Sequence, residues 1–219
     1  MKQIRKQQPP NNFTEWKAKT KAEKTNYSYD NLQNPEKRNI HESLLQEQGY
    51  ICCYCCGRIT LERSHIEHLK AQVDYPELAL DYQNMLASCG SVKRFPEYCG
   101  NHKGDRELPI TPLQYRCEEY FEFLKDGRIR SRKTNLKQEE ETEKTEAEKT
   151  IEILNLNHPE IQDGRVEVFE WIKENFKRAK SAKEKQTLAK KYEKYLQLNN
   201  GRYRENWDVV NFHLKRYLR

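Results

Sequence analysis

The sequence predicts an α+β protein, with a small cysteine-rich core set between an N-terminal helical segment and a C-terminal helical lobe. Three observations predict it. Apolar residues recur at helical spacing before residue 49 and after residue 150. Six of the seven cysteines and three of the six histidines fall within residues 50–107. The apolar supply is thin, at 35% hydrophobic against 34% charged residues, so any core is small and gains from a structural metal.

Residues 1–48 open with a basic, proline-containing arm from Met1 to Pro10. A first helix is expected near Thr14, a good N-cap. Asn34-Pro35-Glu36 reads as a second helix start; Ile40, Leu44 and Leu45 follow at helical spacing, and Gly49 ends it. Residues 49–131 form the expected core unit. Within it, residues 108–131 read as helical, with Leu113, Tyr120, Phe121 and Leu124 as packing positions, and Cys117 as a small buried residue rather than a ligand. Residues 132–150 are rich in Lys and Glu, an exposed helix or a linker. Residues 151–219 read as a basic helical lobe, with Phe169, Ile172 and Phe176 on one face and Leu188, Tyr192, Tyr195 and Leu196 on another. Asn199-Asn200-Gly201 reads as a stop, and no internal repeat is present.

The formal net charge is +6, and residues 165–219 hold 15 Lys/Arg against 7 Asp/Glu. Such a surplus suits a polyanionic partner such as nucleic acid, and suits a solvated helical surface equally well. The first 20 residues contain no apolar run, and no stretch approaches the roughly 20 apolar residues of a membrane helix. The expected location is therefore cytoplasmic, with no membrane partner. Cysteines in that compartment point to metal or chemistry rather than to disulfides.

Tyr50 to Gly57 reads YICCYCCG. Two overlapping C-x2-C pairs lie there, Cys52 with Cys55 and Cys53 with Cys56. A two-residue gap lets both thiolates of a tight turn reach one ion. Cys89 and Cys99 supply a second pair at the longer spacing C-x9-C, with Gly90 and Pro96 between them and Gly100 just beyond. Four such thiolates predict a structural Zn²⁺ site whose binding energy feeds into folding.

Between the cysteine pairs lies His65-Ile66-Glu67-His68, followed by Asn84 and then Asn101-His102-Lys103-Gly104-Asp105. This is not the i, i+4 histidine pair of a zinc-protease helix. The set suits hydrolysis of a phosphodiester, which needs a base, a divalent cation and an orienting group. His68 suits the base, since imidazole titrates near neutrality. Glu67 suits a catalytic Mg²⁺ or Mn²⁺. Asn84 could fix the imidazole, His102 could be a second metal ligand, and Lys103 could contact a phosphate. His65 reads first as a strand residue, solvated or hydrogen-bonded, and alternatively as a support to the metal or phosphate. His41, His158 and His213 have no such company. Tyr192, Tyr195, Tyr203 and Tyr217 could stack on bases, although aromatic residues at helical spacing more often serve a core.

The order of Cys pair, Glu-His, Asn and Cys-x-x-His-Lys resembles the ββα-metal (HNH) nuclease family. More narrowly, it resembles the HNH proteins of retron and Septu-type (PtuB-like) phage-defence systems. The matching pieces are Gln48 to Cys55, Ile66-Glu67-His68, Tyr75-Pro76, Asp81 to Asn84 with Leu86 and Cys89, Cys99 to Asp105, and Ile153 to Asn157. The resemblance implies a small ββα-metal core with a four-cysteine zinc knuckle and selects Cys52 and Cys55 as the first zinc pair. It implies Glu67 as the metal ligand, His68 as the general base and Asn84 as the middle residue that steadies it. One position departs from the broader family: a His or Asn usually follows the last cysteine, whereas here Gly100 does. The second metal ligand is then expected at Asn101 or His102, with imidazole the stronger ligand. The proline often found after the base is also missing from Leu69-Lys70. The two strands are expected near Arg58–Leu61 and Ser64–His68, with a short helix from about Asn101. The resemblance further implies an ABC/SMC-like ATPase partner and, in retron systems, a reverse transcriptase with its RNA–DNA hybrid. No phosphate-binding GxxxxGK[ST] loop is present, so nucleotide hydrolysis is expected from a partner. A competing expectation is a non-catalytic zinc module that binds nucleic acid or bridges partners. Another is a nuclease that attacks host RNA.

Overall fold

The computed structural model describes residues 1–24, 27–90, 96–132 and 144–216. Two helices come first, α1 (Asn11–Glu23) and α2 (Glu36–Glu47). Ile40, Leu44 and Leu45 form the buried face of α2, and Gly49, at φ +60°, follows its end in the left-handed backbone region that favours glycine.

The central unit is one antiparallel strand pair and a short helix. Strand β1 (Ser64–His68) pairs with β2 (Met85–Cys89) in the register Ser64↔Cys89, His65↔Ser88, Ile66↔Ala87, Glu67↔Leu86 and His68↔Met85. Helix α3 (Cys99–Lys103) follows. The expected strand at Ser64–His68 is present, but its partner is β2 and not Arg58–Leu61. Around Arg58 there is only a single bridge, Ile51↔Arg58, closing the cysteine turn. The reason lies in burial: Met85, Leu86, Ala87 and Ser88 are all buried, so β2 is a short continuous buried run without the alternation that marks a half-exposed strand.

The helical reading of residues 108–131 is corrected by a hairpin, β3 (Phe121–Phe123) with β4 (Ile129–Ser131). Phe121 and Phe123 point inward and Glu122 is half-buried, a period of two. Asp126-Gly127 makes the turn, Gly127 at φ +78°, which is a hairpin signal. Cys117 is fully buried just before β3.

Helices α4 (Glu146–Ile153), α5 (Pro159–Phe176), α6 (Ala182–Tyr192) and α7 (Trp207–Lys215) complete the chain. Most of the charged stretch expected over residues 132–150 lies outside the described residues; its end is the first turn of α4, opened by a capping box of Thr145 and Glu148. Val168, Ile172 and Phe176 line the buried face of α5, while Phe169 is only half-buried. One cluster of buried apolar residues runs from Met1 to Leu214. The C-terminal helices are tied to the central unit by backbone hydrogen bonds: Cys99 N–H to Leu154 C=O (2.8 Å), Asn206 N–H to Cys56 C=O (2.8 Å) and Tyr203 N–H to Gly49 C=O (2.9 Å). Among the described residues, no helix is long and apolar enough to cross a membrane.

Candidate active site and metal centre

The cysteine turn is held by its own backbone. Cys52 N–H donates to Gly57 C=O (2.9 Å), and Cys56 N–H donates to Cys52 C=O (3.1 Å). Cys89 ends β2 and Cys99 opens α3, so the strand pair and the helix converge on the turn. The structure brings the Sγ atoms of Cys52, Cys55, Cys89 and Cys99 within 4.8 Å of one another. Cys52 Sγ lies 3.6 Å from Cys89 Sγ, and Cys55 Sγ lies 4.0 Å from it. Sulfurs held tetrahedrally at about 2.3 Å from one ion stand about 3.8 Å apart, so the cluster could hold a metal ion. Cys89 N–H also donates to Cys52 Sγ (3.4 Å). Cys53 and Cys56 are buried but lie outside this cluster; Cys56 packs with Ile51 and Trp207.

Glu67 and His68 end β1. Strand alternation sends them to opposite faces, yet both border the same cleft at the strand end, of about 920 Å³. Tyr27, Tyr29, Gln72, Gly100 and Lys103 also line it. The Glu67 carboxylate is 7% exposed. Its Oε1 accepts from the Tyr54 hydroxyl (3.0 Å) and faces Lys103 Nζ at 3.1 Å. Its Oε2 faces His65 Nε2 at 3.3 Å. Burial opposes ionisation, but the His65 hydrogen bond and the Lys103 charge outweigh it and hold Glu67 below the ordinary carboxyl pKa.

The His68 ring is fixed from three sides. Nε2–H donates to Ala79 C=O (3.0 Å), the Gln72 amide donates to Nδ1 (3.1 Å), and Tyr29 packs edge-on with centroids 4.6 Å apart. The carbonyl bond sets the tautomer, so Nδ1 carries the lone pair and accepts from Gln72. Burial pulls the imidazole below its usual pKa and favours the neutral form.

The remaining expected residues sit as follows. Asn84 does not touch the His68 ring. Its Oδ1 accepts from Lys70 N–H (2.8 Å), and its Nδ2 donates to Lys70 C=O (3.0 Å) and Leu78 C=O (3.3 Å). It therefore staples the connection that leaves His68. Lys103 is 1% exposed; Nζ also donates to His68 C=O (3.1 Å) and Gly104 C=O (3.0 Å). It is a buried counter-charge to Glu67 rather than an open phosphate contact. Asn101 and His102 are not brought to Glu67. They line a separate hollow with Pro96, Glu97 and Asn155, and His102 Nδ1–H donates to Ile153 C=O (2.9 Å). The reason is helical phase: Gly100 and Lys103, three residues apart, share the face toward the cleft.

Four contributors went unassigned in the sequence reading: Tyr54, Gln72, Tyr29 and Gly100. Tyr54 lay in plain view between the two cysteines of the turn, but its hydroxyl contact crosses to another element. Gln72 and Tyr29 carry no motif at all. Gly100 was noted only as a departure; a β-carbon there would stand 2.9 Å from His65 Nε2 and closer still to Glu67 Oε2.

The chain matches no protein-family profile. It is 30% identical over 129 residues to the "Retron Vc95 putative HNH endonuclease" of Vibrio cholerae serotype O1 biovar El Tor, across 58% of this chain and 61% of that protein. The matched stretch thus spans about three fifths of the relative's length.

Proposed function

We propose that this protein is a metal-dependent endonuclease of the HNH type, hydrolysing nucleic-acid phosphodiester bonds. The observation that carries the reading is the pairing, in one cleft, of an ionised buried carboxylate with an imidazole whose Nδ1 is kept an acceptor by a carbonyl bond at Nε2 and is met there by the Gln72 amide. A scaffold has no need of a base held in that tautomer beside a carboxylate.

Glu67 would hold a Mg²⁺ or Mn²⁺ ion, whose chemistry there is to offset charge at the scissile phosphate and on the leaving oxygen. The protein's own residues do the rest. His68 Nδ1 takes the proton from the attacking water, with the Gln72 amide yielding that position. Ala79 C=O and Tyr29 keep the ring in place as its charge develops. Tyr54 and Lys103 hold Glu67 by its Oε1. Asn84 keeps the loop after His68 from shifting. The four cysteines would hold a structural Zn²⁺, which would tie the turn, β2 and α3 together, the elements that bring Tyr54 and Gly100 to Glu67.

The narrower reading places the protein in a retron or Septu-type (PtuB-like) antiphage system in the cytoplasm, beside an ABC/SMC-like ATPase. In the retron case a reverse transcriptase and its RNA–DNA hybrid join the assembly. The motif order in residues 48–157 and the retron name of the Vibrio relative support this. The test is cleavage of plasmid DNA, single-stranded DNA and total tRNA with Mg²⁺ or Mn²⁺, with and without the ATPase, by wild type and His68→Ala. Cleavage that falls by a factor of at least about 100 in the variant, with zinc content unchanged, is the expected result. Equal cleavage by the variant removes His68 as the base. Absence of cleavage by wild type with the partner bound favours the scaffold instead.

A further inference from the structure

We infer that His65 is the second protein ligand of the catalytic divalent metal, paired with Glu67 from the same strand, in the place where the broader family uses a side chain from the helix. The inference rests on the nuclease reading above and concerns only how its metal is held.

Three observations carry it. First, His65 and Glu67 are two apart in β1 and so share a face. Their Nε2 and Oε2 atoms stand 3.3 Å apart. Two donors on one octahedral ion at about 2.1 Å, at right angles, stand about 3.0 Å apart, so a small relaxation seats an ion between them. Second, the carboxylate is already sorted by oxygen. Oε1 is taken by Tyr54 and Lys103, and Oε2 faces His65. Third, the helix has withdrawn its own candidate. A β-carbon at position 100 would collide with Glu67 Oε2 and His65 Nε2, so the imidazole from the strand fills the volume that a residue-100 side chain would need. Asn101 and His102 meanwhile border the other hollow. The ligand has moved from α3 to β1, and Gly100 is the accommodation for it. His65 keeps 29% of its side chain exposed, which leaves the site open to an entering ion.

The rival role is positioning, in which His65 only orients Glu67 through their hydrogen bond. Mn²⁺ binding to the zinc-loaded protein separates the two. Pulsed EPR of the Mn²⁺ complex detects a directly coordinated nitrogen, and titration gives the affinity. Wild type is expected to show one coordinated imidazole nitrogen. His65→Ala should lose that signal and weaken Mn²⁺ binding by about tenfold or more, while His102→Ala keeps both. A wild-type spectrum without coordinated nitrogen, a nitrogen retained in His65→Ala, or one lost in His102→Ala overturns the proposal. Glu67→Gln serves as the reference. If it abolishes Mn²⁺ binding and His68→Ala abolishes cleavage while His65→Ala binds as wild type does, the ligand assignment alone falls. If Glu67→Gln binds Mn²⁺ as wild type does, the nuclease reading falls with it.

Discussion

Gly100 is the residue where sequence and site meet most tightly. Its α-carbon lies against the Glu67 carboxylate with no room for one further carbon. Gly100→Ala is therefore expected to push Glu67 and His65 apart, with overpacking costing about 1–3 kcal/mol of stability. Cleavage should fall further than stability does, because the displaced atoms are the proposed metal donors. Chemical denaturation and the cleavage assay read the two effects separately; a variant with both unchanged would show that the helix can give way. Another test belongs to His213, which is 4% exposed, packed against Phe169 and Phe212, with no hydrogen-bond partner at Nε2. Burial lowers its pKa to about 4. The unfolded chain binds this proton near pH 6.5 and the folded chain does not, so the contribution is full above pH 6.5. It declines as pH falls towards 4, by up to about 3 kcal/mol in total. His213→Phe should flatten that part of the stability profile between pH 7 and 4.5, as measured by urea unfolding; an unaltered profile would assign the proton uptake elsewhere, His41 being a half-buried histidine also lowered to about 4.

At the scale of elements, the β3–β4 hairpin shows how a turn fixes packing. Gly127 is at φ +78°, and a β-carbon on it would collide with the Gln162 carbonyl of α5. Arg165 of α5, 1% exposed, donates from Nη1 to Gly127 C=O (3.2 Å) and Leu156 C=O (2.7 Å). Gly127→Ala should thus lift the hairpin from α5 and cost at least about 1–3 kcal/mol from strain and lost contacts, seen as a lower Tm with the cysteine cluster intact. The helices were the elements most open to sequence reading. Ile40, Leu44 and Leu45 declare the buried face of α2, and no long-range partner is needed to see it. The strands were less open. In β2 the buried run Met85–Ser88 has no alternation, and in β3 the aromatic pair Phe121 and Phe123 is too short to outvote helical spacing. Both elements are defined by what lies across from them.

Across the whole molecule, the cysteine cluster joins parts distant in sequence, and the chain after residue 196 grips it from outside. Trp207 packs on Ile51 and Cys56, Asn206 N–H bonds to Cys56 C=O of the turn, and Tyr203 N–H bonds to Gly49 C=O just before it. A bound structural zinc contributes on the order of 10–16 kcal/mol in small zinc modules, as large as the roughly 5–15 kcal/mol net stability of a whole domain. Cys52→Ser, or stripping zinc with a strong chelator, should therefore abolish cooperative folding and cleavage together, with zinc content, near-UV circular dichroism and activity lost in step. A folded, zinc-free Cys52→Ser protein would show that the cluster is not what holds the core.

What the sequence determined by itself was whatever depends on residue type and local spacing. The α+β class, the face of α2, Ile172 and Phe176 on that of α5, a cysteine turn able to bind metal, and the presence of Glu67 beside His68 all follow from neighbours along the chain. What only the tertiary structure decided was which groups meet. Spacing alone left the two overlapping cysteine pairs open and the resemblance selected Cys52 and Cys55; the fold brings these two together with Cys89 and Cys99. It turned His102 away and Gly100 inward, made Lys103 a buried counter-charge, bonded Asn84 to the loop after His68 and not to its ring, and brought Tyr54 and Gln72 to Glu67 and His68. The physical reason is one of phase and reach. A helix of five residues commits each side chain to a direction that differs by about 100° from the next, so a shift of one position changes which residue faces the site. That phase is set by where Cys99 is anchored, which is a contact between elements and not a property of the segment.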